Sequence, residues 1–186
     1  MAQITNEYTV CPADVDEDAI ESRLLADNPD MPKNELAELT VRELSRAKAL
    51  AVAAQFGPDV LVIGADTTVA LSDEILGKPT GREDAVRMLR KQSTEPEYVI
   101  TGVCLTYQGR ISCFAETSIV HFNPLDEAQE RKIQAYCDTP EPYDKAGAYG
   151  IQVIGDDMIT SFEGDLNNII GFPVDRIKKE LKEFLN

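Results

Sequence analysis

Leu61-Val62-Ile63-Gly64-Ala65-Asp66-Thr67-Thr68-Val69 is a β-rich apolar run holding one carboxylate, and Gly77-Lys78-Pro79 follows about a dozen residues after that acid. An acid at a strand end with a lysine at this distance describes a pocket for something anionic. On its own the pair is a weak sign, because an aspartate that closes a strand is more often a turn former than a catalyst. It has company in Asp14-Val15-Asp16-Glu17 upstream, Arg46-Ala47-Lys48-Ala49 in a helical stretch, and Asp144-Lys145-Ala146-Gly147-Ala148-Tyr149-Gly150-Ile151-Gln152 downstream.

The elements that must position these residues read as follows. Tyr8-Thr9-Val10-Cys11 is expected as a short strand that delivers Asp14 to Glu17 to a loop rim. Residues 18–33, broken by Pro29 and Pro32, read as a surface excursion without chemistry. A helix is expected from an N-cap at Asn34 to about Phe56, stopped by Gly57-Pro58. On it Lys48 either faces water or reaches past the helix edge, and the plain reading is a solvated lysine. Residues 59–64 and 67–71 read as two strands with Asp66 between them, followed by a tight turn at Ser72-Asp73-Glu74. Thr80-Gly81-Arg82-Glu83 has the spacing of a capping box that starts a helix carrying Ala85, Met88 and Leu89. Residues 97–107 and 110–122 form a hairpin turning at Gln108-Gly109, residues 126–137 an amphipathic helix, 151–154 a strand, and Pro173 opens a last helix. Interleaved strands and helices with hairpins point to an α/β protein with a mixed sheet.

Composition narrows the partners. The 186 residues carry 33 acidic against 18 basic side chains, a net charge of −15, and are 43% hydrophobic. That suits one domain or two small lobes around a sizeable core. The negative field repels nucleic-acid backbones and anionic membranes, which argues against a polymeric nucleic-acid partner, while a locally cationic cleft can still take a small phosphorylated ligand. No apolar run approaches the roughly 20 residues that span a bilayer, and Met1 to Glu7 lack the regions of a signal peptide, so a cytoplasmic protein is expected. Cys11, Cys104, Cys113 and Cys137 show no CxxC spacing and read chiefly as buried reduced thiols, with a disulfide or metal role as the minor reading. The lone His121 reads as a packed or edge strand residue, and nothing supports a hydrolytic triad.

In their order and spacing, Asp14 to Glu17, Arg46 to Lys48, Leu61 to Val69, Gly77-Lys78-Pro79, Asp144 to Gln152, Glu163-Gly164-Asp165 and Gly171-Phe172-Pro173 closely resemble the Maf family of nucleoside triphosphate pyrophosphatases, also named for septum formation inhibition. The resemblance runs from Tyr8 to the end of the chain. It implies one domain over residues 1–186 with a mixed twisted sheet flanked by helices, two lobes and a central cleft, similar to the Maf and inosine triphosphatase-like fold. It also implies a nucleoside triphosphate substrate, release of the monophosphate and pyrophosphate, and a homodimer. The Ala146 to Gln152 run resembles the branch acting on dTTP and UTP, and Thr67 falls at a family position that bears on substrate choice.

Cleaving a nucleoside triphosphate between its α and β phosphates needs positive charge on the phosphates, a divalent ion, and a group that positions or deprotonates water. Hard carboxylate oxygens make Glu17 and Asp66 candidates for holding Mg2+ or Mn2+. Lys78, and less directly Lys48, would neutralise charge that grows as pyrophosphate leaves. Asp66 serves either as base or as the ligand that holds the water; the resemblance implies the proton acceptor. Gln152, whose amide both donates and accepts, suits the reading of a base edge, or equally pairs with backbone.

The chain departs from the family at its front. The usual opening strand and Ser-x-Ser-Pro-Arg-Arg segment are not found here, and the expected consequence is a weaker hold on triphosphate. Glu97 stands where the family usually has histidine, and Asn123 where it often has a basic residue. Two readings therefore stay open: a working pyrophosphatase, and a non-catalytic nucleotide-binding or cell-division regulatory homologue.

Overall fold

A computed structural model describes residue 1 and residues 3–185. Its strands are β1 (Val62–Ala70), β2 (Ile75–Leu76), β3 (Glu97–Tyr107), β4 (Arg110–Phe122) and β5 (Ile159–Glu163), joined in one sheet of order β2-β1-β3-β4-β5. Around it lie α1 (Glu17–Asp27), α2 (Lys33–Phe56), α3 (Arg82–Gln92), α4 (Glu127–Cys137), α5 (Ile151–Met158), α6 (Leu166–Ile169) and α7 (Val174–Leu185). The α/β architecture with flanking helices is as expected. Every strand pairing is antiparallel, which narrows the expected mixture, because the β2–α3 excursion brings the chain back beside β1 in the reverse direction.

The β3–β4 hairpin falls where the sequence placed it. Gln108 and Gly109 take φ of 49° and 76°, the left-handed pair that a two-residue turn between twisted strands requires. That turn fixes a register in which Cys104 faces Cys113 with their Cα atoms 4.1 Å apart, and the two are bonded as a disulfide. The expectation of four reduced thiols is corrected here: the absence of CxxC spacing says nothing about cysteines brought opposite each other by a hairpin. Cys11 and Cys137 are free.

Residues 62–70 form one strand instead of two. Each of them has a partner on β3, from Val62↔Thr106 to Ala70↔Tyr98, so Asp66 sits in mid-strand and closes nothing. Alternation then sends Val62, Gly64, Asp66 and Ala70 to the face covered by α2, and Ile63, Ala65, Thr67 and Val69 to the other. Among the described residues β1 is paired on its outer side only at Val69 and Ala70, which leaves the edge at Asp66 to Thr68 open.

Helix α2 lies unusually close to the sheet because two glycines permit it. A Cβ at Gly64 would stand 2.3 Å from the Ser45 carbonyl oxygen, and one at Gly102 2.2 Å from that of Val41. Gly102 is the β3 partner of Asp66, so this close approach flanks the acid. The helix begins at Lys33 after Pro32, and Asn34 lies inside its first turn, so the expected N-cap moves upstream.

Three further expectations change. The stretch after Glu17 is helix α1, because the Asp16 carboxylate accepts from the Ala19 amide at 3.0 Å and Glu17 and Asp18 favour a helix start. The segment 8–11 makes no strand: Tyr8 and Val10 are exposed, while Cys11 and Ala13 pack against Ala49 and Val52 of α2. Residues 151–154 belong to α5, since Ile151, Ile154 and Met158 recur at helical spacing and are buried together, and the strand comes only at Ile159. At α3 the expected capping box is absent; the Asp84 carboxylate, not Glu83, takes the Thr80 amide at 3.0 Å.

Two apolar clusters divide the sheet face that carries Thr67. Val69, Val99, Val120 and Phe122 pack with α3, α4 and α5, whereas Ile63, Ala65, Val103 and Leu105 pack under α7. Thr67 lies at the seam between them. No helix among the described residues is long and apolar enough to cross a membrane.

Candidate active site

At the open edge of β1, Lys48 reaches from α2 to two carboxylates at once. Its Nζ donates to Asp66 Oδ1 at 2.6 Å and stands 2.9 Å from Glu17 Oε1. Three residues that are 31 and 18 positions apart in the chain thus share one charge centre: α1 offers Glu17 from its first turn, α2 offers Lys48, and the pleat of β1 turns Asp66 toward both. Asp66 is the most enclosed, with 13% of its side chain exposed against 22% for Lys48 and 46% for Glu17. The solvated reading of Lys48 is replaced by a bridging one.

Burial pushes the Asp66 carboxyl above the usual carboxylate range, although Lys48 and Lys78 pull against it. Burial also opposes the charge on Lys48, but hydrogen bonds and charge from Asp66 and Glu17 outweigh it and raise its ammonium. Both shifts favour keeping a proton at this pair, which suits an acid that must accept one from water near neutral pH. Glu21 is raised as well, by burial and then by Asp66, Asp18 and Glu17. Sequence reasoning missed it by reading this stretch as loop; the four-residue step from Glu17 to Glu21 would place both on one helix face.

The centre opens into a cleft of ≈ 770 Å³ whose walls include Glu17, Glu21, Lys48, Asp66, Thr67 and Lys78. A second cleft of ≈ 340 Å³ adjoins it and shares Thr67, Lys78 and Ala146. Together they have the size of a nucleotide site. Lys78 is exposed on the loop after β2 and, among the described residues, has no carboxylate within ion-pair distance, so its charge is available to an anion. Gln152 lines the smaller cleft from the first turn of α5, exposed, not from a strand.

Thr67 Oγ1 lies 2.9 Å from Thr101 Oγ1, which donates on to the Asn168 carbonyl at 3.2 Å. Asn168 is fully buried and donates its side-chain amide to Val99 O and Ser118 Oγ, each at 3.0 Å. This network anchors the α6 wall of the smaller cleft to the sheet. The facing wall, residues 144–150, brings Lys145, whose Nζ is held by Asp144 Oδ1 at 2.6 Å and the Glu141 carbonyl at 2.7 Å. Neither Lys145 nor Asn168 was singled out beforehand. Among the described residues the His121 ring meets Glu163 alone, at 3.3 Å between β4 and β5, away from both clefts.

Among the described residues no three His, Cys, Asp or Glu side chains form a ready metal cage. Glu17 and Asp66 offer two carboxylates around a single point of positive charge. That donor set fits a magnesium-like ion, which commonly takes one or two carboxylates and completes its shell with substrate phosphates and water.

A family model described as "Maf: Maf-like protein" matches residues 1–184. A protein named dTTP/UTP pyrophosphatase from Bacillus velezensis is 44% identical over 152 residues, 82% of this chain and 78% of its own length. Proteins of the same name from Halalkalibacterium halodurans and Symbiobacterium thermophilum are 37% and 39% identical, covering 98% and 99% of this chain and 87% of each relative.

Proposed function

The chain belongs to the Maf family, and from that premise we propose that it hydrolyses nucleoside triphosphates, dTTP and UTP foremost, to the monophosphate and pyrophosphate. The observation that carries the reading is the Lys48 ammonium bridging Glu17 and Asp66 at the mouth of a nucleotide-sized cleft.

In this reading the triphosphate lies along the open edge of β1. Lys78 reaches it unpaired, and Lys48 exchanges part of its contact with Glu17 and Asp66 for phosphate oxygens, so positive charge stands where negative charge accumulates on the departing pyrophosphate. Asp66 takes the proton of the attacking water; its raised affinity for a proton makes it a stronger base than an ordinary aspartate. Glu17 and Asp66 would hold a magnesium or manganese ion, which would supply further charge neutralisation when bound. The nucleoside occupies the smaller cleft, where Gln152 and Thr67 meet the base. The homodimer implied by the family belongs to the same proposal.

Pyrophosphate release from dTTP, UTP, CTP and the purine triphosphates, measured with magnesium or manganese, tests this. We expect release from dTTP and UTP, and a loss of about 10²–10⁴-fold in Asp66→Asn. A folded chain that binds these nucleotides without releasing pyrophosphate would overturn the enzyme reading in favour of a nucleotide-binding homologue.

A further inference from the structure

The wall of the smaller cleft at residues 145–150 does not keep its shape through local preference. It contains only one 3-10 turn, Ala146–Ala148, and both Gly147 (φ 69°) and Ala148 (φ 64°) are left-handed. An alanine there is held against its own tendency by its surroundings.

Two buried side chains hold this wall from beneath. Gln92, the last residue of α3, donates Nε2 to the Gly147 carbonyl at 2.7 Å, and the Tyr149 hydroxyl donates to Glu97 Oε1. Gln92 is 1% exposed and Glu97 fully enclosed. Each keeps its other polar atom, the lone amide oxygen Oε1 of Gln92 and the second carboxyl oxygen Oε2 of Glu97, buried without a hydrogen-bond partner. Side chains of this kind are costly in a core, and here both are spent on alternate residues of one loop. Glu97 shares a face of β3 with Val99, one pleat away, and Val99 and Tyr149 both line the smaller cleft. Tyr149 is further braced edge-on by Phe122 at 5.1 Å between ring centroids.

We infer that Gln92 and Glu97 are positioning residues for substrate selection: they fix the Gly147–Tyr149 wall, and with it the placement of Lys145 and Gln152 opposite Thr67, around the nucleoside of a bound pyrimidine nucleotide. The inference rests on the reading of the smaller cleft as the nucleoside end.

The chemistry of Glu97 adds a signature that mere packing would lack. Burial pushes its carboxyl up to about 8, with the Tyr149 hydrogen bond pulling the other way. Tyr149 is the only ionisable group acting on it, and its cross-strand neighbour on β4 is Val120. Tyr136 and Cys137 of α4, the other titratable members of the surrounding cluster, are both raised by burial and stay uncharged. In the closed wall Glu97 is therefore a neutral acid below about pH 8. An opened wall lets that carboxyl ionise in its ordinary range, so the preference for closure weakens as pH rises from that range and its pH-dependent part is gone by about pH 8.

Hydrogen exchange of amides 146–150 on the full chain, from about pH 5 to about pH 9 and corrected for intrinsic rates, reads the wall directly. In parallel, affinity is measured for the α,β-imido analogue of dUTP. Amides in the middle of β3 serve as the control for global unfolding. Protection of the wall should fall by up to tenfold per pH unit from the ordinary glutamate range to about pH 8 in the natural chain, level off above it, and stay flat in Glu97→Gln. Glu97→Leu and Gln92→Leu should expose the wall at every pH, and analogue affinity should fall with it. Wall protection that ignores pH and survives both leucine variants overturns the positioning role. A wall that opens as expected while analogue affinity stays unchanged overturns the nucleoside reading of the cleft.

Discussion

Asp66 and Glu97 are carboxyls on adjacent, paired strands, β1 and β3, and burial raises both above the ordinary carboxylate range. Their neighbourhoods differ in kind. Asp66 has a lysine on its oxygen, a second carboxylate sharing that lysine, a further lysine across the cleft, and an opening to solvent. Glu97 has a single phenol and no cation. The cation keeps Asp66 within reach of ionisation, which is what the proposed role as proton acceptor needs. Without one, Glu97 remains a neutral hydrogen-bonding acid. Burial alone does not suit a carboxyl to proton transfer; the partner and the mouth of the cleft set the two apart.

The most severe way to break this contrast is to take the cation from Asp66. Lys48→Ala leaves two carboxylates facing one another around an empty place, and kcat/KM for pyrophosphate release should fall by about 10²–10³-fold, or roughly 3–4 kcal/mol. The direction of the pH effect is fixed. Lysine lowers the Asp66 proton affinity, so its removal raises it, and the acid limb of the pH–rate profile must shift to higher pH. An unmoved limb, with activity lost, would mean that Lys48 acts only on phosphate. Protection of amides 146–150 should not change, because that wall depends on Gln92 and Glu97.

A smaller perturbation separates the two regions by geometry. Gly64→Ala puts a Cβ where the Ser45 carbonyl and the Ala49 backbone now stand, so α2 must lift from β1. The cost should be about 2–3 kcal/mol in a urea titration. Lys48, next to Ala49, would be carried away from Asp66, and residual activity should fall further than stability alone explains. Equal loss at the charged centre and at the 146–150 wall would show that the regions are less independent than their contacts indicate.

The charged centre was largely legible in the sequence, and the neutral wall was not. Glu17, Lys48, Asp66 and Lys78 stood out through their resemblance to family motifs, Lys48 alone reading as solvated, and the hairpin at Gln108-Gly109 and the last helix follow from local turn and periodicity signals. What sequence reading could not see was how Lys48 reaches Asp66, since that depends on Gly64 and Gly102 admitting α2 to the sheet across tens of residues. Glu97 was noticed only as an acid in an unusual place. Its role depends on Tyr149, 52 residues away, and on a register that no local pattern encodes. The short apolar run at Ile151 fits helix or strand alike, and only burial against α4 and β5 settles it.

Gln152 stands where the two regions meet, and its substitution should have the smallest effect. Its side chain is exposed on the first turn of α5 and, among the described residues, no hydrogen bond holds it, so removing it leaves no buried group unsatisfied. Gln152→Ala should therefore leave the folded state almost unchanged. If the amide reads the pyrimidine edge, kcat/KM for dTTP and UTP should fall by roughly five- to tenfold, about 1–1.4 kcal/mol for one neutral hydrogen bond. The purine triphosphates, which do not present that edge, should lose less. An equal loss for all nucleotides would move Gln152 to the phosphate side and place base selection with Thr67 and the 146–150 wall. No loss for any would mean that the amide stays in solvent and that the wall held by Gln92 and Glu97 selects by shape.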